Sequence, residues 1–192
     1  FLNVLRPATG TAEAVERHTH DVLADLAGQG IRYAEPIVGP RFHMGKGLSL
    51  REVLEAMDRG RRAAECEHGI RTAFLYGLNR HYAPDEEVAR FLEALALGGP
   101  GGSGLLAGVD LQGDDRVGGH PAYARAFAAA REQGLRTRVH AGEFGGPASV
   151  RYAIDALGAH HLSHGIGAAE DPGLVRELAA RGVFLILLGS GP

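Results

Sequence analysis

The strongest constraint on this chain is an alternation. Short apolar or β-branched runs bounded by glycine fall at 31–35, 70–77, 105–111, 135–140, 160–165 and 183–188, with amphipathic, helix-like patterns between them. Those patterns carry their own punctuation: Pro121 opens one and Gly134 closes it, Pro147 and Gly158 bound the next, and Asp171-Pro172 and Gly182 the last. Ser49 and Glu52 stand at capping-box spacing ahead of Val53, Leu54 and Met57, and Asp85, Glu86 and Glu87 follow Pro84 where a helix dipole favours negative charge. A helix over 11–28 precedes strand and helix units repeated about five times and then a last strand, which predicts a parallel sheet covered by helices, with right-handed crossovers.

That rhythm suits a doubly wound open sheet or most of a (β/α)8 barrel, and the polar residues separate the two. Asp110 and Gly113, His140 and Glu143, and His164 sit at or just past the C-terminal ends of their predicted strands, with Glu35 and Arg80 similarly placed on earlier ones. In a parallel barrel these ends converge on one mouth, where catalytic groups gather. An open sheet would instead place a glycine-rich turn after its first strand, and none follows 31–35. The expected fold is therefore α/β of the (β/α)8 barrel type, incomplete, with about six parallel strands in one partial domain over 1–192. The glycine-rich patch at 98–104 precedes a strand, so it reads as a linker rather than a phosphate loop. Gly189-Ser190-Gly191 follows a strand but is too close to the last residue to lead into a helix.

Composition narrows the partners. A net charge of −3 leaves no broad positive field for nucleic acid or an anionic membrane. Apolar runs fall far short of the roughly 20 residues of a membrane helix, and no basic-then-apolar leader is visible, so a cytoplasmic protein is expected. The single Cys66 excludes an internal disulfide or a CxxC motif, and reads as a buried helix filler. Ten histidines are generous for this length, and imidazole both binds metals and titrates near neutrality. The chain opens on Phe1 and stops at Gly191-Pro192 after an apolar run, which points to a piece of a longer protein.

The chemistry concentrates in two runs. Residues 139–143 (Val-His-Ala-Gly-Glu) end a predicted strand on His140, with Gly142 free to turn Glu143 back beside it. Residues 162–165 (Leu-Ser-His-Gly) bring His164 to the neighbouring strand end. Two imidazoles and a carboxylate there make a plausible hydrolytic site, one ring binding metal and the other handling a proton of the attacking water. Gly113 would let a flat heterocycle approach the backbone, whereas Asp114-Asp115 runs on into Arg116 and glycines and reads as a solvated loop. His18-Thr19-His20 resembles a metal motif but lies in a helical pattern, where positions i and i+2 diverge by roughly 200° and cannot share an ion. His43, His68 and His81 carry no spacing signal, and His160 and His161 flank the His164 strand.

Taken in order, residues 33–40 (Tyr-Ala-Glu-Pro-Ile-Val-Gly-Pro), 75–81, 108–114 (Gly-Val-Asp-Leu-Gln-Gly-Asp), 140–143 (His-Ala-Gly-Glu) and 162–165 resemble strands two to six of the adenosine deaminase family of metal-dependent amidohydrolases. The resemblance covers residues 1 to about 185. It implies a zinc-bearing (β/α)8 barrel that hydrolyses the 6-amino group of a purine nucleoside to oxygen, releasing ammonia. By resemblance His140 is a zinc ligand, Glu143 protonates the ring nitrogen beside the attacked carbon, His164 orients or deprotonates the water, and the Gly113 backbone binds a ring nitrogen. The family's other zinc ligands, a His-x-His pair on its first strand and an aspartate on its eighth, have no counterpart here, and residues 185–192 depart from its seventh strand. One imidazole does not retain zinc where three protein ligands are usual, so the 192 residues alone are expected to be inactive and their open sheet edges to favour self-association. The resemblance leaves open adenine or aminodeoxyfutalosine as the substrate, and a non-catalytic purine-binding or scaffold remnant of the fold. The segment 41–46 would help shape the pocket.

Overall fold

The computed structural model describes residues 10–45 and 47–187; Lys46, Leu188 at the end of the last predicted strand and the run Gly189-Ser190-Gly191 lie outside them. The chain divides into two compact units, 1–76 with 93–107 and 77–92 with 108–192.

In the first unit, α1 (Ala12–Gly28) packs on α3 (Leu50–His68). Helix α1 buries Val15 and Leu23, and α3 buries Leu50, Val53, Leu54 and Met57, the apolar stripes visible in the sequence. The capping box forms as expected: Ser49 Oγ accepts from Glu52 N at 3.2 Å while Glu52 Oε2 accepts from Ser49 N at 2.8 Å. The predicted strand at 31–35 gives only β1 (Tyr33–Ala34), and a further short strand, β2 (Ile37–Val38), follows it beyond Pro36; after α2 (Arg41–Met44), the predicted strand at 70–77 is interrupted, giving β3 (Arg71–Thr72) and β4 (Phe74–Asn79). The registers Tyr33↔Arg71, Ala34↔Thr72, Ile37↔Leu75 and Val38↔Tyr76 keep one offset throughout. Arg71 N, Ala73 N and Leu75 N donate in turn to Arg32 O, Ala34 O and Pro36 O at 2.9, 3.1 and 3.0 Å. What breaks the ladder is Pro36, which has no N–H to return.

Helix α4 (Pro84–Gly98) leads to β5 (Leu106–Gln112). The patch at 98–104 is not a loose linker. Gly102 N and Gly104 N donate to Gly99 O at 2.9 and 3.1 Å, and Ser103 N to Leu97 O at 3.0 Å. The carbonyls left over at a helix C-terminus demand such partners.

The second unit carries β6 (Arg136–Ala141), β7 (His161–His164) and β8 (Phe184–Ile186), all parallel, alternating with α5 (Ala122–Glu132), α6 (Gly146–Arg151) and α7 (Pro172–Arg181). Helix α6 ends in a π-helical turn, Tyr152–Ala156. Val109, Leu111, Val139, Ala141 and Leu162 are fully buried, as are Ala126, Phe127 and Ala130 of α5. The strand order of the six-stranded sheet is β2-β4-β5-β6-β7-β8, and β1 and β3 form a separate pair. Parallel neighbours in chain order, joined by helices, make this an α/β fold of the incomplete (β/α)8 barrel type. Among the described residues no helix is long and apolar enough to cross a membrane. Cys66 is exposed rather than buried, because it lies on the outer side of α3.

Candidate active site

Every group of the site belongs to the second unit, at the C-terminal ends of β4 to β7. Strand β6 extends one residue further than its apolar run suggests, so His140 is penultimate and Ala141 pairs with His164. Arg138 and His140, two apart, share one face of the sheet, and Asp110 stands in register with Arg138. Both side chains therefore meet the same carboxylate, which is wholly buried: Arg138 Nε donates to Asp110 Oδ2, and His140 Nε2 faces Asp110 Oδ1 at 3.5 Å.

The two imidazoles come together. The rings of His140 and His164 are T-shaped with centroids 5.4 Å apart, and His164 Nε2 lies 3.5 Å from Glu143 Oε2. His164 has a φ of 72°, the one non-glycine residue with positive φ among those described. Left-handed backbone costs about 1–2 kcal/mol outside glycine, and strain of this kind concentrates at functional sites. Gly142, φ 70°, permits the turn that returns Glu143 toward His164; a Cβ there would lie 2.7 Å from Val150 Cγ2.

Two groups to which the sequence assigned no role in the chemistry organise this cluster. Asp115, expected in a solvated loop, is only 3% exposed. Its Oδ1 accepts from Phe144 N and Gly145 N, both at 3.0 Å, and its Oδ2 from Glu143 N at 3.2 Å and Ser149 Oγ at 2.7 Å. Ser149 Oγ in turn accepts from Gly142 N at 2.7 Å. The loop that presents Glu143 is thus wrapped around one carboxylate. Burial raises the Asp115 pKa, but the Ser149 hydroxyl and the Phe144 and Gly145 N–H groups outweigh it and hold the group below the ordinary carboxylate value. Asp114, by contrast, does behave as the sequence suggested: it is paired with Arg116, which takes its pKa down to about 2.

The second organiser is Arg80, buried at the end of β4. It donates through Nη1 to Leu111 O at 3.3 Å and Gly113 O at 3.2 Å, and through Nη2 to His140 O at 2.9 Å. Burial pushes its pKa below the usual arginine value, while Asp115, Tyr123, Tyr152 and Asp110 favour the charged form. The fork joins the ends of β5 and β6 and so fixes Gly113 relative to His140. Gly113 has a φ of 94°, and a Cβ would lie 3.0 Å from Asn79 Oδ1 and 3.1 Å from His81 Cδ2. Gly113→Ala is expected to destabilise the protein by about 1–2 kcal/mol, read from the urea midpoint at unchanged slope.

His140 Nε2 and Asp110 Oδ1 are buried with no hydrogen-bond partner. An orphaned imidazole nitrogen 3.5 Å from an orphaned carboxylate oxygen suits a divalent cation, and His140 Nε2 fits as one zinc donor. Among the described residues, the group of three ligating side chains whose donor atoms lie within 4.8 Å of one another does not include His140. His81 is nearby, with Nε2 accepting from Asp114 N at 3.3 Å, whereas His18, His20, His43 and His68 belong to the first unit.

The family model for adenosine deaminase matches residues 2–187. An adenine deaminase of Rhizobium leguminosarum bv. trifolii is 35% identical over 175 residues, 91% of this chain and 53% of its own length. One from Rhodospirillum rubrum is 38% identical over 160 residues, 83% of this chain and 46% of its own length. Among solved structures, adenine deaminase from Arthrobacter aurescens superposes with a TM-score of 0.82 at 27% identity, covering 96% of this chain and 54% of that one. The chain spans about half the length of the curated relatives it matches.

Proposed function

Since this chain belongs to the adenosine deaminase family, we propose that the chemistry housed at its strand ends is hydrolysis of a 6-aminopurine, water replacing the amino group and ammonia leaving. The observation that carries the reading is the meeting of His140, His164 and Glu143, with rings 5.4 Å apart, a carboxylate 3.5 Å from one of them, and strained backbone at His164. In this scheme Glu143 donates a proton to the ring nitrogen adjoining the amino-bearing carbon, which makes that carbon electrophilic. His164 takes the proton of the attacking water, and the backbone at Gly113 lies along the purine edge. His140 Nε2 would hold the metal, which when bound supplies Lewis acidity and lowers the pKa of water to about 7.

Adenine itself, rather than adenosine, is the favoured substrate, because the relatives quoted above are named adenine deaminases. Zinc is favoured by a solved amidohydrolase of Burkholderia ambifaria with bound Zn, to which the chain is 27% identical at a TM-score of 0.83. A single imidazole does not retain that ion, so these 192 residues bind the purine without turning it over.

A titration with adenine, adenosine and a pyrimidine control tests this, alongside an ammonia assay in added zinc. The expected result is saturable binding of adenine, weaker binding of adenosine, and no ammonia. Binding weakened at least tenfold by Gly113→Ala would support the cradle. Indifference to every purine sinks the assignment; ammonia release would overturn the claim of inactivity.

A further inference from the structure

The first unit contains a second cluster of ligating side chains, formed by His20 of α1 with Glu67 and His68 at the end of α3. Their donor atoms lie within 4.8 Å of one another. We propose that His20, Glu67 and His68 form a binding site for a divalent transition metal that clips α1 to α3.

Three observations carry this. The first is spacing. Zinc bonds of about 2.0–2.1 Å in a tetrahedron put neighbouring ligand atoms about 3.3 Å apart. Glu67 Oε2 is 3.0 Å from His20 Nε2 and 3.9 Å from His68 Nε2, bracketing that edge without rearrangement of either helix. The second is orientation. His20 stands between two carboxylates, Nδ1 3.1 Å from Asp21 Oδ1 and Nε2 3.0 Å from Glu67 Oε2, so a metal ion that takes the place of the proton on Nε2 meets Glu67 on its other side while Nδ1–H stays bonded to Asp21. A carboxylate on the far nitrogen is the support that metal-binding imidazoles ordinarily have. The third is convergence. The rings of His20 and His68 are 5.4 Å apart although 48 residues separate them, because α1 and α3 pack along their length.

Two imidazoles, one carboxylate and an exposed fourth position describe a site for zinc, nickel or copper rather than for magnesium or calcium, which take oxygen ligands. The last turn of α3 adds the negative end of its dipole. His18, two residues from His20, takes no part: it stands on another side of α1, as i and i+2 must.

Calorimetric titration of the 192-residue chain with Zn2+ tests the proposal, comparing His20→Ala, His68→Ala, Asp21→Asn, His18→Ala and His140→Asn. The expected result is one zinc equivalent that is weakened at least tenfold by either of the first two changes, about tenfold by the third, and not at all by the last two. Equal binding in all variants, or an equivalent lost only in His140→Asn, overturns it. The unmodified chain gives an independent reading: crystals grown with zinc should show anomalous density between His20, Glu67 and His68, and ordered zinc elsewhere with none there contradicts the site.

Discussion

Asp110→Ala should destabilise the protein by about 3–5 kcal/mol, the largest effect expected of any single change in the site. The carboxylate is wholly buried and neutralises Arg138, whose side chain is only 12% exposed, so its removal leaves an uncompensated guanidinium inside the sheet. The magnitude reports a broken pair rather than the worth of the pair itself. Removing both charges tells the two apart: Asp110→Leu with Arg138→Met should recover most of the loss, because apolar replacements of similar volume spare the desolvation of both ions. Urea unfolding of the two single variants and the double variant closes the cycle. If the double variant is as unstable as the sum of the singles, the charges are not paired as described.

Asp115→Ala comes next, at about 3 kcal/mol or more. It strips the acceptor from three backbone N–H groups and the Ser149 hydroxyl at once, and each bond to a charged acceptor is worth about 1.5–3 kcal/mol before they are treated as a shared unit. Asp115→Asn should cost less, since it keeps one acceptor oxygen. The pH dependence follows from the direction of the shift. The folded carboxyl titrates below its ordinary 3.8, so its contribution is complete above the ordinary carboxylate range and is lost as pH falls through the folded value. The stability gap between the native chain and Asp115→Asn should therefore be widest near neutrality and narrow below about pH 4. A gap constant down to pH 2 would mean that the charge on Asp115 contributes nothing. Because Glu143 N is one of the four donors, Asp115→Ala should also loosen the loop that presents Glu143, seen as faster amide exchange at 143–145.

Much of the architecture was legible because it is local. Caps, dipole-matched carboxylates and glycine stops act over three or four residues, and Thr11, Ser49, Asp171, Gly69 and Gly182 end their helices as such residues do. The break at Pro36 is equally local, a missing donor in a parallel ladder, but that pairing resumes at Ile37–Val38 was not legible, since the predicted strand stops at residue 35. Of the candidate site, His140, Glu143, His164 and Gly113 announce themselves at strand ends, since parallel strands carry such residues to one side. Arg80 stands at a strand end as well, but nothing local shows what it binds, and Asp115 sits in a polar stretch that resembles solvated loop; only the carbonyls and N–H groups arriving from β5, β6 and the loop at 143–145 make the two of them buried organisers.

By itself the order of residues determined the α/β alternation, the helix boundaries and the residues that end each strand, all consequences of period, capping and backbone allowance. Tertiary structure alone decided which of two adjacent aspartates is buried, that His164 takes a left-handed backbone, and that His20 meets His68. The reason is the same in each case: burial and partnership are properties of neighbours that are distant along the chain, and one-dimensional spacing carries no information about them until the elements have packed.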